Sequence, residues 1–120
     1  MKKQVDIIFS KEAEKEIKSL NRIIEIEKKK GIINSKNQQL LKSIKNKLEL
    51  IENDPDYGDP VPKNLIKKAK LPVTNLWVVD LTNYWRMLYT LKGTKIEVIC
   101  FVLRIFDHNS YNKMFGYKKK

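Results

Sequence analysis

Apolar side chains recur along this chain at two different periods, and the change of period divides it. Val5 to Phe9, "VDIIF", is short, β-branched and aromatic, which predicts a first strand. From Lys11 to about Lys30 the period is helical, with Ala13, Ile17, Leu20 and Ile24 on one stripe. Ser10 offers an N-cap, Glu12 and Glu14 lie where the helix dipole favours negative charge, and Gly31 is a stop. After the polar connector "NSKN", Leu40, Leu41, Ile44, Leu48 and Ile51 form a second stripe over Gln38 to Glu52, ended by Asn53-Asp54-Pro55. Two such helices joined by a short turn form an antiparallel hairpin with one shared apolar face. Something flat must cover that face.

The segment from Asp54 to Pro72 holds all four prolines and Gly58, so it reads as an ordered, irregular loop with a short helical turn around "KNLIKKAK". Three strand-like runs follow: Leu76 to Leu81, Trp85 to Leu91 and Lys95 to Phe106. Their separators, "TNY" and "KGT", are short enough for hairpins. The predicted fold is therefore α+β and a single domain over 1–120. An N-terminal strand and an antiparallel helix hairpin precede a mainly antiparallel sheet, with the helices on one face. Ile17, Leu20, Ile44 and Leu48 should be buried against Trp85, Met87 and Tyr89.

Strand alternation assigns the remaining side chains. Trp85, Met87, Tyr89 and Leu91 point toward the helices, leaving Arg86, Leu88 and Thr90 on a face expected to be open. On the last run Val98, Cys100, Val102, Arg104 and Phe106 share one face and Ile99, Phe101, Leu103 and Ile105 the other. Both faces are apolar, so this strand should be central. Arg104 then has a position from which to meet Arg86 and form an anion site. On that face Arg86 suits a phosphate, the alternative being an ion pair with Asp80, since its fork fits either anion.

Charge narrows the class of partner. Lys plus Arg outnumber Asp plus Glu by 25 to 14, a formal +11, which favours RNA, DNA, an acidic membrane surface or an acidic protein. From Pro60 onward twelve basic residues face three acidic ones, whereas the first 59 residues carry thirteen and eleven. The basic surface belongs to the second half. The lone Cys100 lies in an apolar run, which suits a reducing compartment and a core thiol. As a nucleophile it would need His108, about 25 Å away along an extended strand. One Cys and one His leave no zinc set, and no phosphate loop or Ser/His/Asp spacing is present. The N-terminal apolar run is too short for a signal peptide and nothing approaches a membrane span, so a soluble cytoplasmic protein is expected.

The run "LWVVDLTNYWRMLYTLKGTKIEVICFVLRIFDHNSYNKMFGY" resembles the C-terminal half of RelE/ParE-superfamily toxins. Those proteins share a strand, an aromatic-Arg-hydrophobic-hydrophobic-Tyr strand, a turn, a long apolar strand and a polar tail carrying a Tyr. "WRMLY" supplies the second element and "DHNSYNKMFGY" the last. The resemblance implies the toxin of a type II toxin–antitoxin system, held by an acidic cognate antitoxin and meeting operator DNA only within that complex. For the RelE branch it implies metal-independent, cofactor-free cleavage of mRNA on the ribosome. For the ParE branch it implies a gyrase inhibitor without nuclease residues, and a degenerate antitoxin-binding member has the same fold.

Carried over residue by residue, the resemblance makes Arg86, Arg104, His108 and Tyr111 the candidate catalytic groups. Lys63, Lys67, Lys68, Lys70, Lys113 and Lys118 become candidate RNA contacts. Transesterification needs a base for the 2′-OH, positive charge for the transition state and an acid for the 5′-oxygen. His108 suits base or acid, and otherwise caps a strand end. Tyr111 suits base stacking, 2′-OH positioning or proton transfer, and otherwise packs on Phe115. The chain departs from lysine-dependent members, having Val78, Val79 and Asp80 where those carry lysines. Its Arg, His and Tyr agree with the YoeB-like branch, though no general-base glutamate is identifiable. Arg104 replaces a family arginine only if the last strand carries a one-residue bulge.

Overall fold

In the computed structural model, which describes residues 4–93 and 97–116, the first strand, β1, is Gln4–Phe9 and the first helix, α1, is Lys11–Lys29. Ser10 joins them as expected, its Oγ accepting from Ala13 N–H at 3.0 Å and donating to Leu103 O at 2.7 Å. Gly31, at φ 79°, turns the chain out of α1 in a conformation only glycine adopts freely. The second helix, α2, is Lys36–Asn53 and starts two residues earlier than its apolar stripe implied. Ser35 caps it and also donates to Glu27 Oε1 at 2.6 Å, which ties the two helix ends and lowers the Glu27 pKa.

A two-residue strand, β2 (Asp59–Pro60), precedes helix α3 (Lys63–Ala69), strand β3 (Trp77–Asp80), strand β4 (Trp85–Gly93), strand β5 (Glu97–Asp107) and helix α4 (His108–Met114). The expected start of the last strand at Lys95 lies outside the described residues. The sheet order is β1-β5-β4-β3-β2, with β1 parallel to β5 and every other neighbour antiparallel. Flanked by β1 and β4, β5 is central, which accounts for apolar side chains on both its faces.

The helix pair covers one face of this sheet. Leu20, Ile44, Met87 and Tyr89 are buried in one cluster, and Ile17, Leu48 and Trp85 pack against it, as the periodicity predicted. Each large apolar side chain buried there contributes about 1.5–3 kcal/mol. Tyr89 also fastens the proline-rich loop, its hydroxyl donating to Pro55 O and accepting from Gly58 N–H, both at 2.9 Å. Burial pushes that phenol up to about 12.

Two expectations about the other face are corrected. It is not open, because α3 and α4 cover it with a second core of Val61, Ile66, Leu76, Leu88, Phe106, Tyr111 and Phe115. The polar composition of the tail concealed a helix whose apolar side chains, Tyr111, Met114 and Phe115, recur at helical spacing. Nor do Arg104 and Phe106 continue the face of Val98, Cys100 and Val102. Tyr89 pairs with Val102 but Leu88 with Arg104, so Leu103 is an extra residue. This bulge reverses the alternation after Leu103, sending Ile105 to the helix-pair core and Phe106 to the second, where Leu103 already lies.

The β3–β4 connection turns sharply. Asn83 and Tyr84 both have positive φ, 58° and 64°, and Trp85 N–H donates to Thr82 O, the signature of a type I′ turn. Asparagine tolerates this region, but a bulky residue there carries about 1–2 kcal/mol of strain.

Candidate functional site

The sheet and α4 meet where β5 ends. Asp107 is the N-cap of α4, its Oδ1 accepting from Ser110 N–H at 2.8 Å, and that bond lowers the Asp107 pKa. The cap turns the chain so that His108, the first helical residue, faces the β3–β4 turn. One cleft of about 620 Å³ is lined by both Arg86 and His108, with Asp80, Asn83 and Tyr84. A second hollow of about 400 Å³ adjoins it, sharing Asn83, Tyr84 and His108 and adding Asp107 and Asn109.

His108 Nε2 lies 3.1 Å from Asn112 Nδ2, one helical turn on. With the amide donating, Nε2 is the acceptor and the neutral ring carries its proton on Nδ1. Arg86 comes from β4, opposite Phe106. Its Nε is 3.3 Å from Asp80 Oδ1 and its Cζ lies 4.3 Å from the Tyr111 ring centroid. Both readings of this arginine therefore have a physical basis: it is paired with Asp80 and it lines a cleft beside the histidine. Asp80 is 79% exposed, so the pair is solvent-screened.

Tyr111 lies in the second core at 7% exposure, with Phe115 at 4.6 Å and Phe106 at 6.0 Å between ring centroids. Its ring reaches the site through Arg86. Arg104 is directed elsewhere. The one-residue bulge expected in the last strand is present, but the guanidinium lies over Phe106, its Cζ 4.9 Å from the ring centroid, and beside α1. There Nη2 is 3.2 Å from Glu16 Oε2 on α1. The two arginines thus engage separate carboxylates and do not form a joint anion site.

Lys63, Lys67 and Lys68 are exposed on α3, Lys70 follows it, and Lys113 is exposed on α4; Lys118 lies outside the described residues. A side chain at Gly116 would sit 3.8 Å from Lys68 Cδ, so Lys68 borders the end of α4. Cys100 is fully buried and burial pushes its thiol up to about 12, the environment of an inert core residue. No described helix is long and apolar enough to cross a membrane. A further hollow of about 860 Å³ runs along α2 past Lys42, Asn46 and Lys47 to Asp80 and Thr82, and His108 does not line it.

One residue of the site escaped the sequence reading. Tyr84 belongs to the separator "TNY" and is 84% exposed at the lip of both hollows. The available signal was an aromatic inside a two-strand connection, directly after asparagine.

No family model matches the chain, and no curated protein matches it in sequence. Among solved structures, the YoeB/ParE toxin from Agrobacterium tumefaciens is similar in fold, with a TM-score of 0.57 at 14% identity over 86% of this chain and 98% of that one.

Proposed function

We propose that this protein is the toxin of a type II toxin–antitoxin pair and a ribosome-dependent, metal-independent mRNA endoribonuclease. The observation that carries this reading is the shared cleft of Arg86 and His108, on a fold similar to that of a YoeB/ParE toxin. In the proposed reaction the ribose 2′-oxygen attacks the neighbouring phosphorus and the P–O5′ bond breaks, leaving a 2′,3′-cyclic phosphate and a free 5′-hydroxyl. Arg86 stabilises the charge gathering on the phosphoryl oxygens. His108 transfers the proton, as base to the 2′-hydroxyl or acid to the departing 5′-oxygen. Tyr111 holds the guanidinium from below, and Lys63, Lys67, Lys68, Lys70 and Lys113 follow the RNA backbone. An acidic antitoxin neutralises this charge, and its binding weakens as salt rises.

A second reading has its own support. Tyr111 is buried, and Asp80 and Glu16 occupy the two arginines, an arrangement suited to a non-catalytic toxin of the ParE type. Cleavage of labelled mRNA on ribosomes by chelator-treated protein separates the two. His108→Gln should lower the single-turnover rate by about 10²-fold or more. Arg86→Ala should lower the rate more than ribosome affinity. Growth arrest without any mRNA cleavage defeats the nuclease reading and leaves the ParE-type one.

A further inference from the structure

We infer that Tyr84 is a stacking platform for an unpaired RNA base, placed beside the Arg86–His108 cleft and held there by a strained turn. This rests on the nuclease reading for the identity of the ligand. Three independent features of Tyr84 point the same way. Its ring is 84% exposed and makes no contribution to either core. Its backbone occupies the left-handed region at φ 64°, which a bulky residue adopts only against steric resistance. Its neighbours at the mouth of the hollows are Arg86 and His108, groups suited to phosphate, with the amides of Asn83 and Asn109 alongside.

A residue that is strained and exposed gains nothing for the fold from its ring. Glycine in its place would follow Asn83, and Asn-Gly is the preferred pair for a type I′ turn. The ring therefore answers to something outside the chain. A flat, exposed aromatic next to a guanidinium and an imidazole matches single-stranded RNA, whose bases splay out and stack while the backbone runs along positive charge. The amides of Asn83 and Asn109 can both donate to and accept from a base edge.

Direct binding, read without cleavage, separates this inference from the reaction it rests on. A short single-stranded RNA carrying 2-aminopurine is titrated with the full chain, with Tyr84→Gly and with Tyr84→Trp. The wild type should quench the fluorophore at one position. Tyr84→Gly should melt at an equal or higher temperature yet bind about tenfold or more weakly, without quenching. Tyr84→Trp should retain both. Unchanged affinity and quenching in Tyr84→Gly overturns the inference, as does a lowered melting temperature, which would make the ring structural. If Tyr84→Gly binds RNA normally but loses an acidic antitoxin, the ring belongs to a protein interface and the inference is likewise overturned. Should the RNA results hold while His108→Gln cleaves at the wild-type rate, the catalytic reading falls and the stacking site stands.

Discussion

Arg86 lies over Tyr111, its Cζ 4.3 Å from the ring centroid, while the same ring packs against Phe115 and Phe106. A single side chain is thus both part of the second core and the support for the cleft's arginine. Tyr111→Phe keeps the ring and should change unfolding free energy by no more than about 1 kcal/mol. Tyr111→Ala should cost about 3–5 kcal/mol, because the neighbouring rings cannot fully close the cavity. Denaturant titration of both variants measures the difference. Equal stability would show that the ring is not buried in the second core as described.

Asp80 competes for the same guanidinium. If Arg86 receives a phosphoryl group, its ion pair with Asp80 must loosen first, and the exposure of Asp80 lets water assist. Asp80→Asn removes the competing charge while preserving size. Affinity for a short RNA should rise several-fold at low salt, and the advantage should shrink as ionic strength screens it. A fall in affinity would mean that Asp80 orients Arg86 for its ligand instead of blocking it.

Asp107 controls where α4 begins and therefore where His108 stands. Its carboxylate accepts from Ser110 N–H, and that bond depresses its pKa below the ordinary carboxylate value. A depressed folded-state pKa gives stability that is present above the unfolded value, near 4, and is lost as pH falls through the folded one. Asp107→Asn keeps a capping oxygen and should fold nearly as well at neutral pH, with a weaker acid dependence below about pH 4. Asp107→Ala should cost about 1 kcal/mol and loosen the helix. Chemical denaturation at pH 7 and pH 3 checks both outcomes.

The first half of the fold was legible because its signals are local. Ser10 and Ser35 cap their helices through their own side chains, and the stripes of Leu20 and Ile44 are interpretable without knowing what they touch. The second half depends on events at a distance. The bulge at Leu103 leaves no mark on an all-apolar run, yet it decides which way every later side chain of β5 points. It puts Arg104 opposite Leu88, on the face of Arg86, yet the side chain turns to Glu16, a partner that strand alternation cannot foretell. The helix His108–Met114 was concealed by its polar residues, and only the three apolar ones that complete the second core reveal its inner face. Arg86 was singled out as an arginine between apolar strand residues and His108 as the one histidine, just beyond a strand end, and the structure brings both to one cleft. Tyr84 was missed because exposure is a tertiary property.

Glu16 shows what became of Arg104. Its Oε1 accepts from the Ile105 backbone N–H at 2.9 Å, just past the bulge where β1 no longer pairs with β5, and its Oε2 faces Arg104 Nη2 at 3.2 Å. One carboxylate therefore satisfies both a strand-edge donor and a part-buried guanidinium. Glu16→Ala leaves both without that partner and should cost about 1–3 kcal/mol, toward the lower figure because water reaches the pair. Arg104→Ala should cost less, since Glu16 still holds Ile105. The double variant should cost less than the sum of the two, a coupling on the order of 1 kcal/mol that double-mutant analysis measures. If the guanidinium serves the fold, Arg104→Ala protein that remains folded should cleave mRNA within about twofold of the wild-type rate, where loss of a proton-transfer group costs about 10²-fold. Loss of cleavage at unchanged stability would give the opposite answer: the Glu16 pair would be a resting arrangement that breaks when RNA arrives, and Arg104 would join Arg86 at the phosphate.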